Sequence, residues 1–342
     1  MKKKILLIVN PISGTKSKVD APSLINTYIN KDLFDFDIRF TEYPGHATQM
    51  AREAVDEHYD IVAAVGGDGT VNEVARSLVN TPTALAVIPC GSGNGLARHL
   101  FIPMRPKEAI DILNDCVIRK LDYGTINDYP FFCTCGMGFD AYISQKFAEA
   151  GKRGPTTYVE YVLREGLKYK PETYEIQDDQ GVTFQKAFLI SVANASQYGN
   201  NAYIAPQASM SDGLMDVVIM EPFDILDAPQ ISIDLLNKTL DKCSKIKTFR
   251  SKHIHIHRSN PGVVHYDGDP VMMGRDIDIN IHPSGINIVV NAHADRSLRQ
   301  PNLLQSGTAQ MLNEISVIRE DLTKRQRKVM ALGKLLQRKL IK

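Results

Sequence analysis

Short apolar runs and amphipathic stretches alternate through the first ninety residues. Ile5–Val9, Ile61–Val65 and Ala84–Ile88 are wholly apolar, and Phe36–Phe40 is apolar at every second position. Continuous apolar runs of this length mark strands buried on both faces. Residues 19–31, Ala47–Glu57 and Val71–Leu78 lie between them and read as helices. Such alternation predicts a parallel sheet with helices on its faces. Ligands of that architecture bind where loops leave the carboxyl ends of the strands. Four polar or glycine-rich segments fall at such ends: Asn10–Gly14, Thr41–Ala47, Gly66–Thr70 and Cys90–Asn94. They predict one site built from four loops.

Beyond Leu121 the pattern changes. Strand-like runs at Ala187–Ala193, Met215–Met220, His253–Arg258, Asp276–Ile281 and Ile286–Asn291 are separated by Gly, Pro, Asn and Asp. Helical stretches are expected only near residues 141–150, 156–169 and 224–242. This predicts a mainly antiparallel second domain. The expected division is an α/β domain over 1–123, a second domain over 124–296 whose last strand can return to the first, and a tail over 297–342. In the tail, Met311, Ile315, Ile318, Leu322, Val329, Leu332 and Leu336 recur at steps of three or four. An amphipathic helix or a coiled-coil seam accounts for that spacing.

Composition narrows the class. The 342 residues are 43% hydrophobic and 23% charged, as in an ordinary globular protein. No run approaches the 18 or so apolar residues that span a bilayer. Met1–Lys4 ahead of Ile5–Val9 imitates a signal peptide, but the apolar run meets Asn10-Pro11, and a buried first strand is expected. Five cysteines at irregular spacing point to reduced thiols and a cytoplasmic chain. Cys133 and Cys135 are expected on one face of a strand. The net charge of +1 hides an asymmetry: residues 301–342 hold nine Lys or Arg against three acids, which leaves the body mildly acidic. A nucleic-acid partner is not expected of such a body.

The chemistry centres on Gly66-Gly67-Asp68-Gly69-Thr70, between a strand and a helix. Glycines let backbone approach phosphate oxygens, and a helix N-terminus presents free N–H groups. Asp68 in such a cradle needs a magnesium ion beside it, or must itself accept a proton. No Gly-Lys-Ser/Thr follows, so this is not a Walker loop; a plain tight turn is the bland alternative. Three other features have bland readings. His253, His255 and His257 share one strand face and read as solvated or domain-facing. Asp140 suits a helix cap or a headgroup contact. Lys152 and Arg153 suit a surface pair or phosphate contacts.

Gly66–Glu73 reads GGDGTVNE, which resembles the nucleotide-binding signature of diacylglycerol, sphingosine and ceramide kinases and of bacterial lipid kinases. GGDG alone also occurs in NAD kinases and phosphofructokinases. Asn10-Pro11-Ile12-Ser13-Gly14, Thr41-Glu42 with His46-Ala47, Pro89–Asn94, Ala205–Val217 and Asp267-Gly268-Asp269 each resemble further family segments, in family order over residues 4–295. The resemblance implies an N-terminal α/β domain, a β-sandwich domain and a cleft between them. It implies ATP contacts at Asn10, Pro11, Ile12, Ser13, Gly14, Thr41, Gly66, Gly67, Asp68, Gly69, Thr70, Val71, Asn72 and Ser92. It also implies that Asp122 helps hold Mg2+ through water, and that Asp212, with the carbonyls of Ser209 and Leu214, ligates a structural Mg2+.

Two departures stand out. The chain has Asn94-Gly95 where bacterial diacylglycerol kinases carry Asn-Asp, and Asp269 where the family has a catalytic Glu. Asp269 is one methylene shorter and must sit about 1.5 Å closer to the acceptor hydroxyl. Either Asp269 or Asp68 is the expected base. The implied function is transfer of the ATP γ-phosphate to a lipid hydroxyl, on diacylglycerol or a sphingoid base. An NAD kinase-like enzyme, or a nucleotide- or lipid-binding protein weakened in catalysis, is the alternative. The expected setting is the inner face of the membrane, with the basic tail in peripheral contact; a homodimer through the tail is the rival arrangement.

Overall fold

A computed structural model of the chain describes residues 2–13, 21–150, 165–166, 168–224 and 226–294. Strands β1 (Lys3–Val9), β2 (Phe34–Phe40), β3 (Ile61–Gly66) and β4 (Ala84–Pro89) alternate with helices α1 (Ala21–Tyr28), α2 (His46–Asp56) and α3 (Asp68–Leu78). Helices α4 (Gly95–His99) and α5 (Pro106–Asp115) follow. The chain continues through β5 (Ile118–Ile126), β6 (Tyr129–Phe131), β7 (Thr134–Gly138), α6 (Phe139–Ala150), β8 (Glu172–Asp178), β9 (Gly181–Ala187), β10 (Leu189–Ala193) and β11 (Met215–Met220). Helix α7 (Ala228–Asn237) precedes β12 (Ile246–Ser251), β13 (His253–Arg258), β14 (Gly262–Tyr266), β15 (Asp269–Met273) and β16 (Asp276–Val289). The expected helix over 156–169 and the tail lie wholly or mostly outside the described residues, as do Lys152 and Arg153.

Strands β2-β1-β3-β4 pair in parallel, as the apolar runs predict. Every residue of β3 and β4 is buried. Their side chains pack with those of α2, α3 and α5 into the first core. A fully buried Val, Leu or Ile contributes roughly 1.5–3 kcal/mol, and this core holds many. The same sheet continues through β16, β13, β8 and β9; β5 joins it at β16, and β6 pairs with β5. A second, wholly antiparallel sheet runs β12-β11-β10-β7-β14-β15. Ile254, Ile256, Ile277 and Ile279 of the first sheet meet Ile190, Val192, Val217 and Val264 of the second in a sandwich core.

Three expectations change. Asp276–Ile281 and Ile286–Asn291 are not separate strands but parts of β16, whose register against β5 shifts between His282 and Ile286. A Cβ at Gly285 would lie 2.4 Å from the Tyr123 ring, so the shifted segment needs glycine where it crosses that ring. Ala187–Ala193 is not one strand. Ala187 ends β9 in the large sheet and Leu189 opens β10 in the other, and Phe188 between them bonds Met220 O and Phe139 N. Cys133 packs in the first core and Cys135 in the sandwich, so they do not share one face. The cysteines are all free. No helix among the described residues is long and apolar enough to cross a membrane.

Candidate active site

The four loops converge through named contacts. A Cβ at Gly91 would lie 2.7 Å from Gly67 Cα, so the third and fourth loops touch backbone to backbone and tolerate no side chain there. Asn10 donates to Thr70 Oγ1 at 3.0 Å and accepts the Ile12 amide at 3.0 Å, which shapes the first loop. Thr41 N donates to Val9 O at 2.9 Å. Glu73, the last residue of GGDGTVNE, accepts the amides of Gly45 and Ala47 at 3.1 and 3.2 Å. It places a carboxylate at the positive end of α2, which satisfies donors that a helix start leaves free.

The loops differ in how far their residues are exposed. Pro11, Ile12, Gly69 and Ser92 are exposed. Thr70, Val71 and Asn72 are buried, Val71 within the first core. Gly14 lies outside the described residues. Asp68 is already partnered: its two oxygens accept Asn94 N at 2.8 Å and Gly95 N at 2.7 Å. Gly95 therefore supplies an amide to Asp68, in place of a second carboxylate.

The turn between β14 and β15 is the other acidic element. Asp267 and Gly268 have φ of 52° and 87°, the left-handed pair that a two-residue hairpin turn requires. The Asp267 carboxylate accepts the amides of Phe132, Cys133 and Thr134 at 2.7–3.1 Å. Burial pushes its carboxyl above the ordinary range, while Arg76 and these amides pull the other way. Asp269 is different: its side chain is 49% exposed and its Oδ2 lies 2.9 Å from Arg76 Nη1.

Arg76, in the last turn of α3, escaped the sequence reading. Its Nη2 reaches Tyr266 O at 3.4 Å, and its guanidinium lies 4.4 Å above the Tyr266 ring. One helical turn earlier, Asn72 Nδ2 meets Asp267 O at 3.4 Å. The helix opened by the glycine motif thus runs from the nucleotide loops to the Asp267–Asp269 turn. The available signal was the four-residue step from Asn72 to Arg76, which puts both on one helix face.

Behind the turn sits a buried polar cluster. Asp140 Oδ2 meets His265 Nε2 at 3.1 Å and the Tyr198 hydroxyl at 3.2 Å, while Oδ1 accepts Ala141 N at 2.8 Å. Gly268 N donates to His265 Nδ1 at 3.4 Å. Asp140 is only 6% exposed and braces the interior. His253, His255 and His257 line one face of β13 and pair with Asp276 and Asp278. No group of three or more metal-ligating side chains suited to an ion occurs among the described residues.

The residues expected to hold Mg2+ form a second cluster. Asp122 is buried, and its oxygens accept Gly213 N and Ser284 N, both at 2.8 Å, which ties the Asp212 loop to the β16 irregularity. Asp212 Oδ1 accepts Leu214 N at 3.2 Å, and Oδ2 lies 3.4 Å from Arg250. Ser209 Oγ pairs with Ser211 Oγ at 3.3 Å. Asp216 Oδ2, beside them, is buried without a partner, and burial raises the Asp216 carboxyl. Carboxylates, carbonyls and an orphaned oxygen are donors that suit a hard cation. Arg250 already brings positive charge to both acids, at 3.4 Å from Asp212 and 3.1 Å from Asp216.

Comparison with known proteins places both halves of the chain among kinases. Residues 4–126 match the model of the diacylglycerol kinase catalytic domain. Residues 133–290 match that of the YegS C-terminal NAD kinase beta sandwich-like domain. A Pseudomonas aeruginosa protein named as a YegS-like probable lipid kinase is 27% identical over 312 residues, covering 88% of this chain and 98% of its own length. A Staphylococcus aureus diacylglycerol kinase is 26% identical over 313 residues, covering 87% and 99%. A solved Bacillus anthracis structure described as a diacylglycerol kinase superposes with a TM-score of 0.71 at 25% identity, covering 85% of this chain and 96% of that one. Over residues 4–126 and 133–290 the chain is thus similar to lipid and diacylglycerol kinases, which phosphorylate an alcohol.

Proposed function

We propose that the chain transfers the γ-phosphate of ATP to the hydroxyl of a lipid, either diacylglycerol or a sphingoid base. The observation that carries this reading is α3, which begins in the glycine cradle and ends against Asp269. Asn10 to Gly14, Thr41, Gly66 to Asn72 and Ser92 would line the ATP site. The acceptor oxygen bonds to Pγ, the bond from Pγ to the bridging oxygen breaks, and ADP leaves with that electron pair. The hydroxyl proton goes to Asp269. Asp68 is the weaker candidate for the base, because both of its oxygens already accept backbone amides.

A divalent cation, when bound, supplies charge neutralisation. Asp212 and the carbonyls of Ser209 and Leu214 would hold one, with Asp122 fixing the loop that carries them. The lipid must be met at a bilayer, and the nine basic residues of 301–342 supply a charge that the acidic body lacks. This would bring the chain to the inner membrane face, with a tail-mediated homodimer as the competing arrangement. The description of the second domain names NAD kinase, so NAD is the control acceptor. The test is ATP consumption with diacylglycerol, with sphingosine and with NAD. Transfer to either lipid and not to NAD is expected; transfer to NAD alone would overturn the reading. Anionic vesicles that bind the full chain, and release it as salt rises, are expected from the tail.

A further inference from the structure

We propose that Arg76 is a positioning residue for phosphoryl transfer, holding the Asp269 carboxylate in the orientation that accepts the hydroxyl proton. The proposal rests on the reading of Asp269 as the base. Asp269 opens β15 beside a two-residue turn, and its half-exposed side chain would sample several rotamers if left alone. Arg76 removes that freedom by binding Oδ2 at 2.9 Å. Asp269 Oδ1 has no hydrogen bond among the described residues. One oxygen is held and the other is presented.

Arg76 is itself fixed on several sides. Its guanidinium lies over the Tyr266 ring at 4.4 Å, and that ring packs on Tyr129 at 4.9 Å. Nη2 reaches the Tyr266 carbonyl, and Asn72 holds the neighbouring Asp267 carbonyl from the same helix face. A planar guanidinium can stack, bond a carbonyl and bind a carboxylate at once, whereas an ammonium offers a point charge without that fork. In the reaction, Oδ1 takes the proton as the acceptor oxygen bonds Pγ and ADP leaves. Arg76 touches none of the reacting atoms.

The test is a double-mutant cycle on the full chain, with ATP and mixed micelles of diacylglycerol or of sphingosine. Arg76→Gln should lower kcat by about 10²-fold, the scale of a misplaced reacting group. The KM for ATP should stay within about threefold of wild type, since the lost term belongs to the chemical step. Arg76→Lys should fall between the two. In an Asp269→Asn background, Arg76→Gln should cost nothing further. Equal losses in both backgrounds, or no loss from Arg76→Gln, would overturn the proposal. Wild-type turnover by Asp269→Asn alone would overturn the base reading instead. If Arg76→Gln does not fold, the same cycle is run with Arg76→Lys.

Discussion

Two acidic turns meet along α3, and they hold their carboxylates in opposite ways. In the β3–α3 turn, Asp68 is tied by two short bonds to the backbone of Asn94 and Gly95, so the acid joins loops. In the β14–β15 turn that joining role belongs to Asp267, which gathers three amides from the β6–β7 connection. Asp269, two residues on, is left with a side-chain partner and half its surface in solvent. A carboxylate saturated by backbone amides is a fixed structural part. One held by a single arginine keeps an oxygen for chemistry.

The largest effect that would break this contrast is at Asp269. Asp269→Asn should lower kcat by roughly two to four orders of magnitude, the range of general-base loss. Its unfolding midpoint in urea should match wild type, and initial rates at saturating ATP check the first part. Asp68→Asn should behave in the reverse proportion. An amide side chain cannot accept both backbone N–H groups through two oxygens, so one buried donor loses its partner, at about 1–3 kcal/mol. Urea denaturation should show that loss directly, with activity falling as the fourth loop shifts. Should Asp68→Asn keep full stability while losing all transfer, the two turns would have to exchange roles.

The smallest effect concerns the ladder on β13 and β16. Hydrogen bonds from His257 and His255 hold the Asp276 and Asp278 carboxyls below the ordinary range. A folded value below the unfolded one adds stability above the unfolded value, near pH 4, that is lost as pH falls through the folded value. Asp276→Asn/Asp278→Asn should therefore be slightly less stable than wild type at neutral pH. The two should converge below about pH 4, and thermal melts across that range check it. Both acids are largely exposed, so the gap should shrink in high salt.

The nucleotide side of the site was legible because its signals are local. Gly67 and Gly91 stand where two backbones touch, and each loop follows an apolar run that ends in plain sight. The resemblance located the acidic turn but not its partner. Arg76 and Asp269 are separated by 193 positions, and nothing in the intervening pattern announces their contact. The Phe188 crossing was equally hidden, because a chain that changes sheets without a turn leaves an unbroken apolar run. Asp122 is expected to help hold an ion through water, and its oxygens also bridge two distant loops, which its sequence context did not announce. A carboxylate written in sequence gives no sign of whether an ion or an amide meets it.

The place of β16 sets an order on synthesis. This strand lies beside β4 and antiparallel to both β5 and β13, yet it is the last strand of the described chain. Until residues 276–289 leave the ribosome, β4 has an open edge and β5 lacks its main partner. An uncovered, fully apolar strand edge invites pairing with another chain. The nascent nucleotide-binding half is therefore the aggregation-prone species, and it stays so for nearly two hundred residues of elongation. Expressing residues 1–126 alone should yield insoluble protein. Supplying the later segment as a separate chain should recover part of it, because the missing partner is a strand and not a ligand.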